Sequence, residues 1–269
     1  MVEDSTSVDS VVVDGRHLEY RMTGKGAGPT LVFLHEGLGS MGLWREYPND
    51  VTAATGRPCL VYSREGHGWS DPVREPRTPR FMHHEALVIL PQLLDRLGVA
   101  DPILIGHSDG ASIAMIHAGA GRRVSGLVLL APHVFVEPES IAGIEAALVR
   151  FETSDLATRM ARHHRDPYST FHAWNDIWLD PVFLDWNIED ALSGITCPTL
   201  LIQGLDDEYG TLAQVDTIER GLTGSVQRLL LADCGHSPHL SQPAAVVEAT
   251  ARFVGRIGGD HHIDRQLPA

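Results

Sequence analysis

Residues 102–118 constrain the fold of this chain more than any other stretch. Pro102-Ile103-Leu104-Ile105 is an apolar run of strand character, Ala111–Ala118 has helical character, and Gly106-His107-Ser108-Asp109-Gly110 lies between them. A Gly-x-Ser-x-Gly between a strand and a helix is the pattern of a nucleophile elbow. The turn is so sharp that the residues two before and two after the serine must be small, and Gly106 and Gly110 meet that demand. Such a turn lifts the Ser108 hydroxyl to the top of a sheet and leaves helix-side amides facing it. An ordinary glycine-rich turn would carry the same letters, so the rest of the chain decides.

The surrounding segments alternate in character. Residues 10–14 and 17–22 flank Asp14-Gly15 and predict a β-hairpin with a tight turn. Residues 30–34 are a short apolar strand of the kind buried on both faces, 125–130 is another buried strand, and 59–63, 102–106, 199–202 and 226–231 read as further strands. Helices are predicted over 44–55, 79–97, 212–221 and 243–256, the second from Leu87, Leu90, Leu93, Leu94 and Leu97 at helical spacing. Alternating strands and helices imply parallel βαβ units. The expected fold is therefore α/β: a doubly wound, mostly parallel sheet.

The rhythm breaks between residues 133 and 196. This stretch has no convincing strand and is rich in aromatics, with Phe151, Phe171, Trp174, Trp178, Phe183 and Trp186. The organisation it predicts is a core built from residues 1–132 and 197–269, interrupted by a helical lid over 133–196. A lid there would cover the carboxyl ends of the strands, where open α/β sheets bind ligands. Trp174, Trp178 and Trp186 are the candidate substrate-binding residues, each with core packing as its plainer role.

A serine hydroxyl needs a general base, and the base needs a third group to orient it. Both partners are present. Gly204-Leu205-Asp206-Asp207 follows one strand end and Gly235-His236 the next. The chain order Ser, Asp, His, with each residue just past a strand, matches the α/β-hydrolase arrangement. Over nearly its whole length the chain resembles the capped α/β-hydrolase superfamily. The resemblance rests on Leu34–Ser40, Ser63–Asp71, Gly106–Gly110, Gly204–Asp207 and Cys234–His239. It implies Ser108 as nucleophile, His236 rather than His239 as base, and Asp207 rather than Asp206 as the orienting acid.

The family's oxyanion hole pairs an amide of the loop after the third strand with the amide following the nucleophile. By that register the donors are Gly37 and Asp109. Glu36 stands where the family normally has glycine, which leaves Leu38 as an alternative to Gly37. A carboxylate beside an oxyanion hole opposes the developing charge, so Glu36 is expected to point away or to pair with a cationic group. For the Asp109 side chain two readings stand: a local, solvated or paired role, or recognition of a positive group on the substrate, as similar Ser-Asp-Gly elbows in hydrolases of amino-acid esters suggest.

Composition and remaining motifs narrow the function. The formal charge is -14, from 35 acidic against 21 basic residues in a chain of 269, which argues against nucleic acid and anionic membranes as partners. Cys59, Cys197 and Cys234 are widely spaced and odd in number, as free thiols of a reducing, cytoplasmic compartment would be. The acidic N-terminus does not read as a signal peptide, and no apolar run approaches the ~18 residues of a membrane span. His83-His84-Glu85 lacks the second histidine of a zinc motif, and no phosphate or dinucleotide loop follows a strand, so neither metal nor cofactor is implied. His163-His164 and His261-His262 read as decoration of a helix and of the polar C-terminal tail. The expected function is hydrolysis of a small-molecule carboxylic ester or lactone by a monomer or small homo-oligomer. The same machinery on C–C bonds or amides, or a ligand-binding receptor on the same fold, is the alternative.

Overall fold

The computed structural model describes residues 8–257. The expectations for the acidic N-terminus and for the tail from Gly258 to Ala269, including His261-His262, fall outside these residues. The strands are β1 (Asp9–Val13), β2 (Arg16–Thr23), β3 (Leu31–Leu34), β4 (Cys59–Tyr62), β5 (Ile103–His107), β6 (Gly126–Leu130), β7 (Thr199–Gly204) and β8 (Val226–Leu231). They form one eight-stranded sheet in the order β1-β2-β4-β3-β5-β6-β7-β8. The hairpin β1–β2 and its junction with β4 are antiparallel, and every later pair is parallel. The carboxyl ends of β3, β5, β6, β7 and β8 therefore share one edge.

The helices are α1 (Tyr47–Thr55), α2 (Phe81–His84), α3 (Leu90–Leu97), α4 (Asp109–Gly119), α5 (Pro138–Thr153), α6 (Leu156–Met160), α7 (Pro167–Leu179), α8 (Glu189–Leu192), α9 (Leu212–Gly221), α10 (Pro238–Ser241) and α11 (Pro243–Ile257). Two differ from the periodicity-based expectation. The helix expected over 44–55 is a short 3-10 turn at Met41–Trp44 and then α1, separated by Arg45 at φ 53. Pro48, which lacks an N–H, fits only the first turn of a helix, so the regular helix starts at Tyr47. The helix expected over 79–97 is broken into α2 and α3 by a wider π turn at Glu85–Ile89.

Strand alternation feeds two cores, one on each face of the sheet. Val32, Leu34, Leu104, Leu127 and Leu129 point to the face covered by α3 and α4. Leu31, Phe33, Ile103, Ile105, Val128 and Leu130 point to the face covered by α1 and α11. Each fully buried aliphatic side chain contributes roughly 1.5–3 kcal/mol. Between β6 and β7 the chain contributes α5 to α8 and no strand to the sheet. Ile144, Phe171, Trp174, Trp178 and Trp186 of this segment join the same apolar cluster as α3 and α4, so it packs directly onto the sheet domain. Among the described residues no helix is long and apolar enough to cross a membrane.

Candidate active site

The elbow between β5 and α4 is sterically determined. Ser108 holds φ 52 and ψ -118, a conformation that L-residues rarely adopt. Its amide donates to the Leu130 carbonyl at 3.0 Å, tying the turn to β6. A Cβ on Gly106 would lie 2.4 Å from the Gly110 carbonyl oxygen, and one on Gly110 would lie 1.9 Å from that of Leu34. Both glycines are thus required, Gly110 because α4 crosses against β3. Ser108 is 7% exposed and opens into a cavity of about 220 Å³. Glu36, Gly37, Leu38, Ile144, Trp174, Trp178 and His236 are among the residues lining that cavity.

The loops after β7 and β8 bring Asp207 and His236 together. His236 Nδ1 lies 2.9 Å from both Asp207 carboxylate oxygens and donates to them. Asp207 also accepts from Gln203 Nε2 and from the Tyr209 amide, each at 2.8 Å. Burial works against its negative charge, but the His236 ring and the Tyr209 amide outweigh burial and hold the carboxyl down at about 2. Burial likewise opposes a charged His236, and Asp207 prevails, raising the imidazole above its ordinary 6.5. Asp206 is exposed, and its amide donates to the Cys234 carbonyl at 2.9 Å. His239 is buried instead against Trp44, Tyr47 and His107, where burial pushes it down to about 3. Ser108 and His236 face the same cavity, with no hydrogen bond between them among the described residues. Such contacts commonly tighten only when substrate binds.

Gly37, in the loop after β3, lines the cavity that Ser108 opens into, and Asp109 directly follows the serine. Asp109 is the first residue of α4, where an amide has no acceptor within the helix. Gly37 lies under the Trp174 indole, and a Cβ there would sit 2.1 Å from Trp174 Cδ1. Glu36 is among the residues lining the cavity, and its carboxylate turns to His107, with Oε2 3.3 Å from Nδ1. Burial pushes Glu36 up, but the hydrogen bond and charge of His107 prevail and keep it at about 2. The other nitrogen of His107, Nε2, donates to the His236 carbonyl at 2.6 Å. The residue before Ser108 therefore links Glu36 to the backbone of His236.

The three tryptophans separate. Trp174 and Trp178, four residues apart on α7, line the cavity. Trp186 does not; it lies past α7, stacked on Phe183 at 5.4 Å and tilted against Trp178 at 5.9 Å. The Asp109 carboxylate is fully buried and is not among the residues lining the cavity; the Trp178 indole donates toward it. Burial raises its pKa, against the opposing charges of Arg64 and Arg77. His163-His164 lies in a turn after α6 rather than on a helix. His164 accepts from the Gly68 amide at 3.1 Å and its Nε2 donates to the Leu38 carbonyl at 3.0 Å, fastening α6 and its turn to the site loops.

Several contributors gave no local sequence signal. Gln203, Glu208, Tyr209 and His133 all pack around Asp207 and His236. Glu208 accepts from the His236 amide at 3.2 Å, and the Tyr209 and His133 rings lie 4.7 and 5.6 Å from the imidazole. Gln203 is the position sequence could have offered, since it ends a buried strand with a polar side chain four residues before Asp207.

Comparison with known proteins agrees with this framework. Residues 31–249 match the model of the alpha/beta hydrolase family. A 95-residue stretch is 33% identical to the sn-1-specific diacylglycerol lipase ABHD11 of Danio rerio, covering 35% of this chain and 28% of that protein. The match thus spans less than a third of the curated relative. Among solved structures, a membrane phospholipase A superposes with a TM-score of 0.75 at 19% identity, over 94% of this chain and 87% of the other. Est816, an N-acyl homoserine lactone degrading enzyme, superposes with a TM-score of 0.70 at 26% identity, over 91% of this chain and 100% of the other. The chain belongs to the alpha/beta hydrolase family.

Proposed function

We propose that this protein hydrolyses a small carboxylic ester or lactone by acyl transfer through Ser108. The observation that carries the reading is the His236 imidazole, clamped at Nδ1 by both Asp207 oxygens with its ring at the wall of the cavity that Ser108 opens into. In this mechanism His236 Nε2 takes the Ser108 proton as Oγ attacks the acyl carbon. The Gly37 and Asp109 amides receive the oxyanion, each donor contributing roughly 3 kcal/mol to the transition state. His236 then returns its proton to the departing alcohol oxygen. Water, deprotonated by the same imidazole, releases the acid and restores Ser108. Asp207 keeps the proton of the resting imidazole on Nδ1 and stabilises the imidazolium.

The lipase and lactone-degrading relatives support an oxygen ester over other acyl bonds. Ile144, Trp174 and Trp178 offer an apolar wall beside Ser108 for the acyl or alcohol group. On this reading the α5–α8 segment acts as a lid that sets substrate choice. Trp174→Ala should reorder the ranking of substrates by on the order of tenfold, the effect of reshaping a hydrophobic pocket. Trp186→Ala should cost stability without that reordering.

The test is hydrolysis of a panel of acyl esters, lactones and amides by wild type and Ser108→Ala. Wild type should turn over members of the first two classes, and Ser108→Ala should lose on the order of 10⁴-fold or more. Near wild-type rates in folded Ser108→Ala would rule out the serine mechanism. Turnover confined to amides would move the chain to the second reading.

A further inference from the structure

One deeply buried cation has no role in the mechanism above. Arg64, just past β4, is 1% exposed. A guanidinium so far from water is costly unless its donors are satisfied. Among the described residues no carboxylate lies at hydrogen-bond distance, and Asp109 Oδ2 is 4.0 Å from Nη2. The head group is directed instead at the backbone of the loop after β3. Nη1 donates to the His35 carbonyl, and Nη2 donates to the Glu36 carbonyl at 3.1 Å. The Arg64 amide also donates to His35 Nε2 at 3.0 Å, which leaves the ring proton on Nδ1. His35 Nδ1 in turn donates to the Glu36 carbonyl at 2.7 Å, and the Gly39 amide does so at 3.0 Å. Three donors, one of them cationic, converge on a single carbonyl.

Peptide planarity gives that convergence a consequence. The Glu36 carbonyl and the Gly37 amide are opposite edges of one planar trans unit. Turning the carbonyl toward Arg64 turns the N–H the other way, and Gly37 lines the catalytic cavity. Hydrogen bonds to a carbonyl also polarise its peptide and strengthen the N–H as a donor.

We propose that Arg64 is a positioning residue for the oxyanion hole, aiming and polarising the Gly37 amide. The proposal rests on the ester-hydrolase reading. Through its charge beside Asp109, Arg64 also ties this loop to the elbow that supplies the second amide. It assigns the loop donor to Gly37 over Leu38, the alternative the sequence leaves open.

Arg64→Lys tests this, because it keeps a cation and loses the two-pronged fork. On folded protein kcat should fall about 10- to 100-fold, short of the loss from deleting a donor outright. KM should stay within about twofold, as for an interaction made in the transition state alone. Affinity for a boronic acid that forms a tetrahedral adduct on Ser108 should weaken by the same factor as kcat. An unchanged kcat, or a loss confined to KM, overturns the proposal. Wild type assayed alongside separates the two ideas: wild type without ester or lactone turnover indicts the function, not Arg64. If Arg64→Lys does not fold, a crystal structure of the wild-type phosphonate adduct decides. The Gly37 amide bonded to the adduct oxygen, with the Glu36 carbonyl still on Arg64, supports the assignment. An oxygen held by Leu38, or a Glu36 carbonyl turned off Arg64, overturns it.

Discussion

Asp207 and Asp109 each follow a strand of the same sheet edge, and each side chain is almost wholly buried, at 1% and 0% exposure. Their surroundings differ in kind. Asp207 accepts from His236, Gln203 and the Tyr209 amide, and it stays ionised down to about 2. Asp109 has the charges of Arg64 and Arg77 and the Trp178 indole to oppose its burial, and burial outweighs them, so its pKa moves up. Burial alone therefore does not fix what an acid does. Directed donors hold one carboxylate ionised against an imidazole, while burial prevails over the charges around the other.

The largest expected effect lies on the Asp207 side. Asp207→Asn should lower kcat by about 10⁴-fold, because an amide favours the wrong imidazole tautomer. Its stability at neutral pH should also fall, by about 1–3 kcal/mol, because the donors that hold Asp207 down at about 2 stabilise the ionised form in the folded state. A mild rate effect would break the comparison at its firmer end.

Asp109→Asn should differ on both counts. Stability should hold or rise, because burial outweighs the opposing charges of Arg64 and Arg77, so the ionised carboxylate is a net cost in the folded state. The rate should fall by far less than for Asp207→Asn, on the order of tenfold, because the Asp109 backbone amide, the proposed oxyanion donor, is kept and only its setting is disturbed. Thermal unfolding and steady-state kinetics on both variants give the two numbers directly. Equal rate losses would make Asp109 a functional acid and erase the distinction.

The smallest effect is a displacement in pH. His236 must be neutral to accept the Ser108 proton, and Asp207 raises its pKa. The rate should therefore rise with pH through a midpoint above 6.5, and fall as pH drops through it. In Asp207→Asn the residual rate should titrate at a lower pH, since the raising influence is gone. In Asp109→Asn the midpoint should stay above 6.5. A midpoint that follows Asp109 instead would place the controlling charge in the wrong loop.

What sequence reveals here follows from how local each constraint is. Ser108 stands between two glycines whose smallness is forced by Gly110 and Leu34 carbonyls, so the elbow is written into five consecutive residues. Asp207 and His236 each follow a strand and a glycine, which places them on the same edge before any contact is known. Arg64 and His107 act by reaching across strands to carbonyls 28 and 129 positions away, and no local pattern encodes such reach. Trp174 and Trp178 share a helical face by their spacing, whereas Trp186 follows the end of α7, where periodicity stops and stacking on Phe183 decides its direction. The π turn at Glu85–Ile89 is likewise hidden in a leucine spacing that a straight helix would satisfy.

The central claim is that Asp207 and His236 activate Ser108. Fluorophosphonate labelling followed by peptide mass spectrometry measures that activation whatever the substrate is. The account predicts one phosphonyl group on the peptide carrying Ser108, forming faster as pH rises through the His236 midpoint and nearly absent in His236→Ala. Folded wild type that stays unlabelled at Ser108, or that labels equally fast without His236, would contradict it.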